Sequence, residues 1–162
     1  MSTVILSFGT NIGDKTGNIK AMEAAAAKLS KTTIICSPLY ESEAVDVENP
    51  QENYYNKVVR IETDESPESI LKKTQEIERK LGRDKKWEKA PRTADIDILL
   101  FDGVSIDTPE LTIPHPRMFF RKFAIEGVKA VAPDLLNPWT GELFANYGIS
   151  DEISAQKMKI ID

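Results

Sequence analysis

The chain is predicted to fold as α+β, on the ferredoxin-like βαββαβ plan: a mostly antiparallel sheet, helices on one face, and added hairpins. Three observations predict it. Four β-branched or aromatic runs fall at residues 4–8, 32–40, 54–63 and 95–101. Two stretches of helical periodicity separate the first run from the second and the third from the fourth. The resulting order, β-α-β then β-α-β, is the split βαβ arrangement, and 162 residues suit one domain spanning 1–162.

The first run ends at Gly9-Thr10-Asn11, a cluster with turn composition. Residues 14–29 carry Ile19, Met22, Ala26 and Leu29 at helical spacing, with four alanines from Ala24 inside the segment. Residues 41–52 are acidic, contain a proline and lack periodicity, so a long loop is expected there, a candidate lid. The second helix has a well-specified start, Ser66 as N-cap, Pro67 at N1 and Glu68 in the first turn, and stops near Gly82. Residues 83–92 read as a charged loop. Asp102-Gly103 signals a hairpin, residues 111–113 a short strand, 119–131 a helix and 135–144 a small hairpin. The last residues carry the weakest pattern.

Composition narrows the function. Twenty-one basic against 26 acidic residues leave a net charge of −5, which disfavours a broad nucleic-acid surface. The balance leaves room for a small phosphate pocket built from a few arginines, and the basic residues crowd two segments, 79–92 and 117–122. A single cysteine, Cys36, excludes an internal disulfide and fits a cytoplasmic protein. No apolar run approaches a membrane span, and the first residues read as a strand rather than a signal peptide. No partner beyond small molecules is expected, and a monomer is expected.

The segment Ala90-Pro91-Arg92-Thr93-Ala94-Asp95-Ile96-Asp97-Ile98 places two acids inside a strand. Residues i and i+2 of a strand share a face, so Asp95 and Asp97 project together, their Cα atoms ~6–7 Å apart. Ile96, Ile98 and Leu100 are expected to point into the core. Neighbouring carboxylates repel, and a shared hard cation such as Mg2+ relieves the repulsion. For an isolated Asp-x-Asp, a solvated strand face with arginine partners is the better explanation. Here Arg92 and Thr93 lie just upstream, and His115 and Arg121 supply further donors, the mixture a metal-nucleotide site uses. His115 is the only histidine and stands between Pro114 and Pro116, so its imidazole is held on a stiff, non-helical support.

Six stretches occur in order: Gly9-Thr10-Asn11-Ile12-Gly13-Asp14; Tyr54-Tyr55-Asn56; Gln75-x-x-Glu78 with Leu81-Gly82-Arg83; Pro91-Arg92-Thr93-x-Asp95-Ile96-Asp97-Ile98-Leu99; Ile113-Pro114-His115-Pro116-Arg117-Met118; and Arg121-x-Phe123. Together they resemble the 6-hydroxymethyl-7,8-dihydropterin pyrophosphokinases of folate biosynthesis, from about residue 2 to Pro133. The resemblance implies transfer of pyrophosphate from ATP to the dihydropterin hydroxymethyl group, with release of AMP and dependence on two Mg2+ ions. It implies that Asp95 and Asp97 are the metal ligands and that Gln75, Glu78, Lys85, Arg92, Ile98, Thr112, His115 and Arg121 bind the nucleotide. Tyr54 and Phe123 match the aromatic pair on either side of the pterin, Asn56 a pterin-bonding amide, and Ser42, Ala44 and Val45 the loop contacts. Asp95 also lies beside the pterin in this reading, and Arg92, Asp97, His115 and Arg121 carry catalysis. The chain departs from the family where many members read Arg-Trp-Gly before Pro-Arg-Thr; here the residues are Glu88, Lys89 and Ala90, with Trp87 just upstream and Lys85 where an arginine is frequent.

Two other classes stay open on the residues alone. A ferredoxin-like RNA- or nucleotide-binding module would want basic and aromatic residues on the open sheet face and no acidic pair. A metal-dependent nuclease would want further acidic ligands near the pair.

Overall fold

The computed structural model describes residues 1–43, 51–82 and 93–161. Its main sheet is built from β1 (Ser2–Thr10), β2 (Ile35–Cys36), β3 (Tyr40–Ser42), β4 (Tyr54–Thr63), β5 (Asp95–Phe101) and β8 (Met158–Ile160). The strand order is β5-β1-β4-β3-β8, with β2 also on β4, and every pairing is antiparallel. Helices α1 (Lys15–Leu29) and α2 (Pro67–Lys80) are the two crossovers of the βαββαβ core. Both lie on one face, where Ile19, Met22, Ala26 and Ile70 pack against Val4, Leu6, Phe8, Ile96 and Ile98. The caps behave as their chemistry predicts: Ser66 Oγ accepts from the Ser69 N–H at 3.2 Å and Asp14 Oδ1 from the Gly17 N–H at 3.1 Å.

The opposite face is not left wholly open. Helix α3 (Lys122–Val131) covers part of it, setting Ala124, Val128 and Val131 against Ile5, Val58, Leu99 and Leu100. Close approach depends on Gly127. A Cβ at that position would meet the Val58 side chain, its Cβ at 2.6 Å. Gly127→Ala is therefore expected to lower stability by about 1–3 kcal/mol through overpacking, measured as a fall in the urea midpoint at unchanged slope. Arg60 ties the same helix to the sheet. Its Nη1 donates to Asp134 Oδ1 at 2.7 Å and to Val131 O at 3.3 Å, and the hydrogen bond from Arg60 holds the Asp134 carboxyl below its ordinary value.

Several expectations change. The run 32–40 is not one strand: β2 and β3 are separated at Ser37-Pro38-Leu39. Pro38 has no N–H for the ladder, and Ser37 Oγ accepts instead from the Val58 N–H at 2.9 Å. Glu41 and Ser42, expected in the loop, belong to β3. Gly9 and Thr10 continue β1 rather than turning. Asp102-Gly103 does turn, with Asp102 at φ 49°, but the hairpin lies beyond it, between β6 (Ile106–Asp107) and β7 (Thr112–Ile113). The predicted helix 119–131 is a 3-10 turn over Pro116–Phe120 followed by α3. The weakly patterned C-terminus forms α4 (Asp151–Ser154) and then β8 on the sheet edge.

Candidate active site

One face of the sheet gathers the polar residues at a single end. Cross-strand partners share a face. Gly9 stands opposite Asn56 on one side and Asp95 on the other; Ser7 is opposite Asp97, Tyr40 opposite Asn56, and Ser42 opposite Tyr54. Ser42, Tyr54, Asn56, Gly9, Asp95 and Asp97 thus line one surface across four strands. Asn56 is buried, and its Oδ1 accepts from the Ser42 hydroxyl at 2.8 Å. That bond fixes the amide so that its NH2 lies toward Gly9, whose Cβ, were there one, would stand 3.3 Å from Asn56 Nδ2 and 3.9 Å from Asp95 Cβ. The missing side chain opens a floor between the amide and the acid. Sequence reasoning missed Gly9 as a site residue. A glycine inside a β-rich run was the available signal, because it marks a place where something approaches the backbone closely.

The acidic pair projects as predicted, but its strand is bent. The β1–β5 register shifts between Ile5 and Leu6, so that Leu6 faces Ile98 while Ile5 faces Leu100. The extra residue, Leu99, is a β-bulge. It turns Leu100 onto the face of the aspartates, against α3, where the simple alternation had put it on the other side. Ile96 and Ile98 point into the α1/α2 core as expected.

Two nitrogen donors, the His115 imidazole and the Arg121 guanidinium, converge on Asp97. His115 Nε2 lies 3.8 Å from Oδ1 and Arg121 Nη1 3.7 Å from Oδ2. Both separations exceed those of charge-assisted hydrogen bonds, typically about 2.7–2.9 Å, so the three side chains face a common space. The imidazole is oriented by its own backbone: Nδ1 accepts from the Arg117 N–H at 3.2 Å. With Nδ1 an acceptor, the ring proton is on Nε2, the nitrogen turned toward Asp97. The His115 N–H donates to Leu99 O at 2.9 Å, which docks the segment on the bulge. Phe123, in the first turn of α3, packs half-buried on the same face.

The remaining candidates divide. Glu78 and Ile98 lie on the opposite face. Glu78 is buried, and its Oε2 accepts from the Ile96 N–H at 2.8 Å, bolting α2 to the start of β5 between the two acids. Ile98 is a core side chain. Gln75 is exposed on α2, and Thr112 sits in β7 opposite Asp107. Ala44, Val45, Lys85 and Arg92 lie outside the described residues, as does the divergent Glu88-Lys89-Ala90 segment. Among the described residues no three His, Cys, Asp or Glu side chains cluster as a self-sufficient metal site. Two hard oxygen donors on one face suit a cation whose other ligands come from phosphate and water.

Comparison with known proteins decides between the chemical classes. Residues 5–133 match the family described as 7,8-dihydro-6-hydroxymethylpterin-pyrophosphokinase (HPPK). The chain belongs to the HPPK family. It is 38% identical over 121 residues to the 2-amino-4-hydroxy-6-hydroxymethyldihydropteridine pyrophosphokinase of Bacillus subtilis, covering 74% of this chain and 72% of that protein. It is 36% identical over 139 residues to the protein of the same name in Aquifex aeolicus, with 85% of each covered. The folic acid synthesis protein fol1 of Schizosaccharomyces pombe is 38% identical over 83% of this chain, yet the chain spans only 18% of that protein. Among solved structures, Plasmodium falciparum HPPK-DHPS with pteroate superposes with a TM-score of 0.67 at 15% identity, over 89% of this chain and 41% of that one. That likeness shows the HPPK fold.

Proposed function

We propose that this chain is a single-domain, Mg2+-dependent pyrophosphokinase that transfers pyrophosphate from ATP to 6-hydroxymethyl-7,8-dihydropterin and releases AMP. The observation that carries the proposal is the convergence of His115 and Arg121 on Asp97, on the same sheet surface as Asp95, Asn56, Ser42 and Tyr54. Membership of the HPPK family supports it, as do relatives of similar length named for this reaction. No helix among the described residues is long and apolar enough to cross a membrane.

A pterin is flat, with a mixed donor and acceptor edge. The Asn56 amide offers both, the gap over Gly9 admits the ring edge, and Tyr54 and Phe123 supply aromatic faces for stacking. The triphosphate belongs at the other end, with Arg121 and His115; Arg92, outside the described residues, is assigned to it on the family motif alone. Bound at Asp95 and Asp97, Mg2+ would neutralise phosphate charge and orient the attacking alcohol. The hydroxymethyl oxygen bonds to the β-phosphorus, the bond from that phosphorus to the α–β bridging oxygen breaks, and AMP departs with the electron pair. The hydroxyl proton passes to Asp97 or water. Arg121 and the Nε2–H of His115 stabilise charge accumulating on the leaving oxygen. Holding both substrates in line supplies much of the acceleration, on the order of 7–11 kcal/mol in well-oriented systems.

The split of candidates across β5 fits a nucleotide that wraps the sheet edge. β5 is the terminal strand. Its Ile96 N–H points outward to Glu78, and by the two-residue alternation the Ile98 peptide groups point outward too. An adenine would then meet the backbone of Ile98 rather than its side chain, near Gln75, Glu78 and Thr112.

The test is the product. Incubated with ATP, MgCl2 and 6-hydroxymethyl-7,8-dihydropterin, the protein should give AMP in a 31P NMR time course, one per pterin consumed. ADP as the nucleotide product, or no turnover, would refute the proposal.

A further inference from the structure

The C-terminal segment lies beyond the part of the chain that matches the family, which ends at residue 133, yet it returns to the site. Helix α4 and strand β8 hold its two ends. Ser150 Oγ caps α4 by accepting from the Ile153 N–H at 3.3 Å. β8 pairs with β3, with Met158 opposite Ser42, and the Ile161 N–H donates to Leu39 O at 3.0 Å. Between these anchors stands Gln156. Its Nε2 donates to Phe120 O at 2.7 Å, and its Oε1 accepts from the Lys122 N–H at 2.9 Å. The side-chain amide thus brackets Arg121, bonding the carbonyl of the residue before it and the N–H of the residue after it.

That pattern is the one a neighbouring strand makes with a single extended residue. Arg121 has the matching conformation, φ −122° and ψ 117°. Arg121 is also the N-cap of α3 but offers no side-chain acceptor there. Gln156 Oε1 therefore satisfies an N–H that the helix leaves open. Lys122 Nζ adds a third tie, donating to Ser154 O at 2.9 Å. The Arg121 side chain leaves this clamped backbone toward Asp97.

We infer that Gln156 is a positioning residue: its amide fixes the Arg121 backbone, and through it the guanidinium, in the catalytic geometry. The inference rests on the proposed pyrophosphokinase reaction. It makes the C-terminal segment a working part of the site.

Gln156→Met keeps the side-chain length and removes both polar bonds. Displacements near 1 Å cost about a hundred-fold in rate, and a loosened rather than displaced arginine should cost less. The expected result is a kcat about ten-fold below wild type, with KM for the pterin and the melting temperature unchanged. The deciding measurement is a double-mutant cycle with Arg121→Ala. If Gln156 acts through Arg121, adding Gln156→Met to Arg121→Ala changes kcat no further. A Gln156→Met variant with wild-type kcat, or losses that multiply in the double variant, would overturn the inference. A second variant, Gln156→Glu, checks the hydrogen bonds directly. Its protonated acid both donates and accepts as the amide does, so its kcat relative to wild type should rise as pH falls; a flat ratio counts against the clamp. Wild-type protein that forms no AMP would refute the proposed function itself, and this inference with it. Active wild type with an unaffected or additive Gln156→Met refutes the inference alone.

Discussion

Replacing Asp97 by alanine should lower the rate of AMP formation by about 10³-fold, equivalent to ~4 kcal/mol in the barrier, while the protein unfolds at its usual temperature. Stability should survive because Asp97 contributes nothing to the apolar layers: its strand is held by Ile96 and Ile98 on one side and by Leu99 and Leu100 on the other. Removing one of two like charges on the same strand face also relieves repulsion. Activity should not survive. Asp97 is the point on which both His115 and Arg121 converge, and it is half of the proposed cation seat. Its loss removes a ligand and frees the His115 imidazole and the Arg121 guanidinium from their common focus. Asp97→Asn, which keeps the shape and loses the charge, should be nearly as inactive. A rate within ten-fold of wild type in either variant would take the aspartates out of the chemistry.

Gly9→Val should be the most damaging change outside the charged residues. Gly9 is not in the left-handed region of backbone space, since no positive φ is found there, and valine suits a strand. The backbone therefore accepts the substitution. The site does not. A Cβ would sit 3.3 Å from Asn56 Nδ2 and 3.7 Å from the Tyr54 ring, and the two methyls beyond it would fill the floor over which the pterin edge is proposed to lie. kcat/KM for the pterin should fall by about a hundred-fold. Affinity for an ATP analogue alone, measured by calorimetry, should change little, because the phosphate end is built on Asp97, His115 and Arg121. Equal losses for both ligands would mean that Gly9 shapes the whole sheet rather than the pterin end.

How much of this was legible beforehand follows from which physics acts locally. The core strands β1, β4 and β5 and the helices α1 and α2 were readable because caps, turn residues and apolar periodicity are written in adjacent residues. Asp95 and Asp97 were readable for the same reason: strand alternation alone places them together. The bulge at Leu99 was not, because a one-residue slip is set by the partner strand; nothing in Asp-Ile-Asp-Ile-Leu-Leu-Phe announces it. The break between β2 and β3 had its signal in Pro38, which β-branched neighbours obscured. Strand β8 had almost none, since Met158, Lys159 and Ile160 become a strand only against the edge of β3. Gln156 was silent for a related reason. Its partners are backbone groups at Phe120 and Lys122, 36 and 34 residues away in sequence, and side chain to backbone bonds across such distances leave no pattern in either segment. Glu78 stood in a motif as a nucleotide residue; its bond to the Ile96 N–H adds the structural task of fixing where β5 begins.

The central claim is that Asp95 and Asp97 seat a divalent cation against the triphosphate on this sheet face. Mn2+ added with a non-hydrolysable ATP analogue to 15N-labelled protein tests it most directly, because paramagnetic broadening reports where the ion sits. The account predicts broadening centred on the amides of Asp95 to Ile98, His115 and Arg121, and its loss in Asp95→Asn/Asp97→Asn. Broadening centred elsewhere, or undiminished in the double variant, would contradict it.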